Sequence, residues 1–104
     1  MTAVAVGCFR VPEDHPCLPG HFPGRPVVPG VVLLDEALAL VLAGARHLRV
    51  AGLPAVRFLR PVLPGERVEV LHDPAGPGRV AFTCRVAGRE ALRGAVLLVA
   101  DELP

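Results

Sequence analysis

The chain has 104 residues, of which 52% are hydrophobic, and a formal net charge of +1. That is enough for one small core and too little for two ordinary domains. With no acidic or basic excess, a nucleic-acid partner is not expected. The longest apolar stretch, residues 27–45, is interrupted by Pro29, Gly30, Asp35 and Glu36, so it is too broken to span a bilayer and no membrane role is expected. Trp and Tyr are absent, so the core must be assembled from Val, Leu and Ala. Cys8, Cys17 and Cys84 are odd in number and lack paired metal-ligand spacing. They read as buried small hydrophobes of a reducing compartment, with no metal site and no disulfide. Residues 1–7 carry neither a basic start nor a long apolar run, so no signal peptide is expected and the protein is assigned to the cytoplasm.

Residues 2–11 lean toward β structure and form the expected first strand. Residues 12–29 are a loop dense in Pro and Gly that nevertheless holds two of the four histidines, His15 and His21. A loop so stiff has little freedom to lose and can hold a side chain in place at small entropic cost. Pro29 stands where a first helical residue belongs, which predicts a helix from Gly30 to Arg46 or His47. Its apolar positions run nearly all the way round, the pattern of an enclosed helix. Arg46, His47 and Arg49 would suit the negative end of its dipole.

After Gly52-Leu53-Pro54 the pattern changes to strands, expected at 55–62, 66–72, 79–87 and 90–100. In the third of these, Val80, Phe82, Cys84 and Val86 alternate with Arg79, Ala81, Thr83 and Arg85, giving one buried and one polar face. The Asp73-Pro74-Ala75-Gly76-Pro77-Gly78 segment and the Gly88-Arg89 pair mark hairpin turns. Leu97-Leu98-Val99 is continuously apolar and expected to be buried on both sides. One strand, one enclosed helix and four antiparallel strands make an α+β plan. A curved sheet wrapped around a central helix buries both apolar surfaces, in a single domain.

The most informative stretch is His21-Phe22-Pro23-Gly24-Arg25-Pro26-Val27-Val28-Pro29-Gly30, running into Val31-Val32-Leu33-Leu34-Asp35. It fixes a titratable base in a rigid turn and places a carboxylate early in an apolar helix, where desolvation favours its protonated form. That pairing suits proton transfer next to a carbonyl. Alone, each residue has a plainer reading: a hydrogen-bonded loop histidine and a surface carboxylate, the place expected for Glu36. His15 reads as a loop-fixing residue, and His47 and His72 as surface residues at element ends.

The block from residue 21 to 35 closely resembles the β-hydroxyacyl-acyl-carrier-protein dehydratases, and Arg57-Phe58-Leu59-Arg60-Pro61-Val62-Leu63-Pro64-Gly65-Glu66 is similar to that family's strand and turn after the helix. The resemblance implies a hot-dog fold, a long helix wrapped by an antiparallel sheet. It also implies dehydration of 3-hydroxyacyl thioesters on acyl carrier protein, without metal or organic cofactor. His21 falls on the family's catalytic histidine and Asp35, not Glu36, on its catalytic acid. Gly30 falls on the glycine whose backbone N–H binds the thioester carbonyl. Asp rather than Glu at the acid resembles the branch that can also isomerise the enoyl product. In the family the histidine and acid of one site come from different subunits, which implies an obligate homodimer with two shared sites.

Two departures stand out: Ala39 replaces a usual Gln four residues after the acid, and the chain is shorter than typical members. The chemistry asks for a base to take the C2 proton, an acid to protonate the departing hydroxyl, and a donor for the charge growing on the thioester oxygen. A histidine of ordinary pKa, about 6.5, is partly neutral at cytoplasmic pH. An N–H unpaired in the first helical turn, aided by the dipole, suits the oxyanion. Arg57, Arg60, Arg89 and Arg93 are candidates for docking the acidic carrier, against the ordinary reading of solvated arginines. The alternatives are a hot-dog thioesterase or hydratase, and a non-catalytic module that binds acyl chains or a partner. The closely spaced Asp and His of the hydratase branch are not seen.

Overall fold

The computed structural model describes residues 3–15, 27–43 and 47–100. Six elements follow one another there: β1 (Val4–Phe9), α1 (Gly30–Leu42), β2 (Leu48–Phe58), β3 (Val68–Pro74), β4 (Arg79–Val86) and β5 (Arg89–Ala100). The strands form one sheet in the order β1-β3-β4-β5-β2, and every neighbouring pair is antiparallel. The helix packs on β1, β3 and β2. Since β1 and β2 are opposite edges of the sheet, one helix can touch both only if the sheet curls around it. The expected α+β wrap is therefore the observed one.

The core is mainly aliphatic, as expected, but the buried ring of Phe82 belongs to it as well. Leu33, Ala37 and Val41 form the buried stripe of the helix, spaced four apart so that they lie on one face. They meet Val68 and Val70 of β3, Phe82 and Cys84 of β4, and Leu92 and Val96 of β5 in one cluster. In β4 the expected alternation holds, with Phe82 and Cys84 buried and Val80 and Val86 half-buried on the same face. Burial in this apolar layer pushes the Cys84 thiol up to about 12. Cys8, by contrast, is exposed. It pairs with Glu69 on the outer face of the sheet, away from the helix, which corrects the expectation that it is buried. Cys17 lies outside the described residues.

Several boundaries differ from the sequence reading for identifiable reasons. The helix stops at Leu42, with Ala43 as its cap residue, and the next residue in sequence is Gly44, the residue type most compatible with a helix end. No basic residue lies in its last turn: Arg49 belongs to β2, His47 precedes that strand in a turn, and Arg46 is outside the described residues. Pro29 is the cap rather than the first helical residue, with φ −58° and ψ 141°.

Strand β2 begins at Leu48, seven residues earlier than expected, and runs through Pro54. An edge strand tolerates a proline because one row of its backbone groups has no neighbour. Register shifts at Gly52 and before Ala55 absorb the irregularity. In β5 the buried residues are Ala91, Leu92, Gly94, Ala95 and Val96, while Leu97 and Leu98 are half-buried and Val99 is exposed. The end of β5 pairs with the first residues of the edge strand, Leu48↔Ala100 and Arg49↔Val99, at a corner of the sheet that little covers.

Both hairpins form where the turn residues stand. The long one closes with the Ala75 N–H donating to the Arg79 carbonyl (2.9 Å) and the Arg79 N–H to the Gly76 carbonyl (3.1 Å). The short one closes on Val86↔Arg89, with Ala87 at φ 51° and Gly88 at φ 80°. Two consecutive positive φ values match the twist of a two-residue hairpin. Holding Ala87 there costs about 1 kcal/mol or more.

Candidate active site

Two segments far apart in sequence meet in one place. The first is the entry to α1. Pro29 has no side-chain donor or acceptor, and its carbonyl takes the N–H groups of Val32 (3.0 Å) and Leu33 (3.2 Å). Gly30 is the first helical residue, so its N–H has no partner within the helix. The helix dipole adds partial positive charge at this end.

The second segment follows β2. Leu63-Pro64-Gly65-Glu66 is a tight turn with Gly65 at φ 86°, the conformation that a type II turn asks of its third residue after a proline. It is closed by the Glu66 N–H to the Leu63 carbonyl (3.2 Å) and by the Leu63 N–H to Oε1 of Glu66 (2.7 Å). The Gly65 N–H donates to the Val11 carbonyl (2.8 Å) and Arg10 Nη1 donates to the Gly65 carbonyl (2.9 Å). The turn is thereby anchored to the chain leaving β1.

The Val28 N–H donates to the Val62 carbonyl at 2.8 Å, which ties the two segments side by side. Between them lies an open groove of about 490 Å³, lined by residues 27–30 and Leu33 on one side and 58–62 on the other. Its walls are apolar apart from Arg60, and Gly30 stands in them. A ligand carbonyl seated there can accept from the helix start while its apolar remainder lies along the groove.

Asp35 is on the helix face opposite the buried stripe, and it is exposed, as are Val31, Glu36 and Ala39. The apolar enclosure expected around Asp35 is therefore not supplied by the described residues. The helix buries only the side that meets the sheet, and Val31, one turn before the carboxylate, is 72% exposed. The helix as a whole is covered on one face rather than enclosed. His21 lies outside the described residues.

The other histidines are dispersed. His15 is half-buried in a turn whose N–H donates to the Pro12 carbonyl (3.1 Å). His47 is exposed, and His72 is half-buried inside β3 rather than at its end. Arg57, Arg60, Arg89 and Arg93 are exposed, and Arg93 is paired with Glu90 (Nε to Oε1, 3.1 Å). Among the described residues no group of three or more His, Cys, Asp or Glu could hold a metal ion, and no helix is long and apolar enough to cross a membrane.

Phe58, which no motif in the sequence marks by itself, stands against Gly30 in the groove. The available signal was its place at the end of a strand beside Pro61, in one of the two segments that carry the resemblance.

The family model described as ApeI-like, ApeI dehydratase, matches residues 2–94. The chain belongs to the ApeI-like dehydratase family. Among curated relatives of this dehydratase-family chain, the 3-hydroxyacyl-[acyl-carrier-protein] dehydratase FabZ of Haemophilus influenzae is 45% identical over 71 residues, covering 59% of this chain and 47% of that one. The FabZ of Thermus thermophilus is 38% identical over 95 residues, covering 78% and 66%. The chain thus spans about half the length of the first of these relatives. Among solved structures, the dehydratase heterocomplex ApeI:P from Xenorhabdus doucetiae superposes with a TM-score of 0.75 at 18% identity, over 94% of this chain and 98% of that one. The architecture is the hot-dog fold.

Proposed function

We propose that the chain dehydrates 3-hydroxyacyl thioesters carried on acyl carrier protein to trans-2-enoyl thioesters. We assign it to the cytoplasm, in fatty-acid or related polyene or polyketide biosynthesis, as a homodimer whose two sites are shared between subunits. The observation that carries this reading is the Val28–Val62 hydrogen bond (2.8 Å), which sets the Gly30 helix start and the segment after β2 around one apolar groove.

In this reading neutral His21 removes the proton from C2. The electron pair moves to form the C2–C3 double bond, and Asp35 delivers a proton to the departing 3-hydroxyl, which leaves as water. The Gly30 N–H holds the negative charge that grows on the thioester oxygen. A donor of this kind contributes about 3 kcal/mol of transition-state stabilisation. No cofactor enters.

The exposed setting of Asp35 supports the shared site, because a second subunit is then what desolvates the carboxyl and supplies the other half. Val31, Leu59 and Leu63, in or next to the two segments that line the groove, are large apolar residues left 45–72% exposed, the kind of surface a partner subunit covers. Exposed Arg57, Arg60 and Arg89 would steer an acidic carrier, an effect that weakens with salt.

The test is turnover of 3-hydroxyacyl-carrier protein by the wild type, His21→Ala and Asp35→Asn. Each variant is expected to lose on the order of 10²–10⁴-fold. Co-refolding the two variants should then restore up to about a quarter of wild-type activity, since half the dimers are mixed and each mixed dimer has one intact site. Release of free thiol would identify a thioesterase instead. Binding without turnover over several chain lengths would identify a non-catalytic module. Absence of complementation would refute the shared site.

A further inference from the structure

Phe58 is the groove residue whose placement packing does not explain. It ends β2 opposite Leu92 in the β2–β5 register, and Leu92 is completely buried. Phe58 therefore stands on the core side of the sheet, yet it is 54% exposed. Its ring lies on Gly30: a Cβ built on that glycine would sit 2.9 Å from both Cε1 and Cζ and 3.4 Å from Cδ1. Any side chain at position 30 would displace the ring. One edge of an aromatic ring is thus held against the first helical residue, beside an N–H that lacks a helical partner, and the rest of the ring is open to the groove. A half-exposed phenyl forgoes much of the burial free energy an aromatic residue usually supplies, and for the strand alone a smaller β-branched residue would serve.

We propose that Phe58 is a positioning residue of the site described above. Its open ring face supports the first carbons of the acyl group while the thioester oxygen accepts from the Gly30 N–H. This rests on the thioester reading and deepens it. A carbonyl flanked by an apolar chain matches both features at once: the N–H takes the oxygen and the ring takes the carbons next to it. Glycine at position 30 then has a second purpose besides close approach of the ligand. It leaves the ring its seat, so the two residues act as a unit, and removing either misplaces the same part of the substrate.

The experiment compares wild type, Phe58→Leu, Phe58→Ala, Gly30→Ala and the Gly30→Ala/Phe58→Ala double variant. Initial rates are measured with 3-hydroxybutanoyl and 3-hydroxyoctanoyl carrier protein. Binding of S-hexanoyl-N-acetylcysteamine is followed by the ¹H–¹⁵N shift of residue 30, and oligomeric state by sedimentation.

Phe58→Ala is expected to raise KM about tenfold, with a smaller change in kcat and no change in sedimentation. The loss should be proportionally larger for the butanoyl substrate, which has less chain to hold elsewhere. Phe58→Leu should recover most of the KM. The double variant should bind the thioester no worse than Gly30→Ala alone, because the ring the methyl group displaces is already gone.

An unchanged KM and an unchanged residue 30 shift in Phe58→Ala would overturn the role while leaving the dehydratase reading intact. Dissociation of the Phe58→Ala dimer with normal KM in the dimer that remains would assign the ring to the subunit interface and likewise overturn it. Failure of the wild type to bind or turn over any thioester would remove the reading and this role together.

Discussion

Gly94 gives a sharp test of how the sheet is held together. It lies in the middle of β5, between Phe82 of β4 and Val56 of β2 in the register. A Cβ there would sit 2.7 Å from the Ala55 carbonyl oxygen and 3.0 Å from Cζ of Phe82. Neither neighbour can yield easily: the first is backbone of the adjoining strand, and the second is a ring only 1% exposed. Gly94→Ala must therefore push β2 away from β5 or move a core aromatic. Overpacking of that kind costs about 1–3 kcal/mol. For a domain of this size each kcal/mol lowers Tm by roughly 4–8 °C, so a 2 kcal/mol loss gives roughly 8–16 °C. The internal control is Gly52→Ala in the same strand pair. Its Cβ would meet only Cδ1 of Leu97 at an ordinary 3.7 Å, and Gly52 has no positive φ, so its Tm should stay within about 4 °C of wild type. The assay is thermal unfolding followed by circular dichroism at one fixed protein concentration, because dimerisation would make Tm concentration-dependent. A Gly94→Ala Tm within about 2 °C of wild type, or equal losses in the two variants, would mean that the close approach of β2 and Phe82 to Gly94 does not limit stability.

Phe82→Ala, at a ring 1% exposed, should lose about 3–5 kcal/mol in urea unfolding; a loss below about 1 kcal/mol would mean that the ring is not the centre of the core. Cys84 and Cys8 should separate chemically: in brief alkylation of the native protein at pH 8 followed by peptide mapping, the exposed Cys8 should be labelled and the buried Cys84 spared. The raised Cys84 thiol also sets a pH dependence. Below about 9.0, its ordinary value, folded and unfolded chains both keep the proton. As the pH rises from 9.0 toward about 12, only the unfolded chain releases it, so the unfolded state binds fewer protons and stability falls through that window. Unfolding of wild type and Cys84→Ala at pH 8 and 10.5 measures this, and a wild type that loses no more than the variant would contradict it.

What was readable in the sequence was readable for local reasons. The helix start follows from Pro29 and Gly30, and the hairpins from clusters of Pro and Gly whose backbone preferences need no tertiary help. The inward face of β4 follows from a strict alternation of period two. The early start of β2 was not legible, because Gly52-Leu53-Pro54 is a stop signal anywhere except on a sheet edge, and edge position is a property of the whole fold. Nor was the open face of the helix: apolar residues on every side do not say which face will meet the sheet.

The candidate site divides along the same line. The sequence alone put a histidine, an apolar helix with an acid and a glycine-started helix into one motif, since those are matters of residue type and spacing. Tertiary structure decided that residues 27–30 and 58–62 share a groove, that Phe58 rests on Gly30, and that Asp35 faces away from its own core. These are consequences of long-range backbone pairing and of which helix face meets the sheet. They depend on how the sheet curls, which no local run of residues specifies.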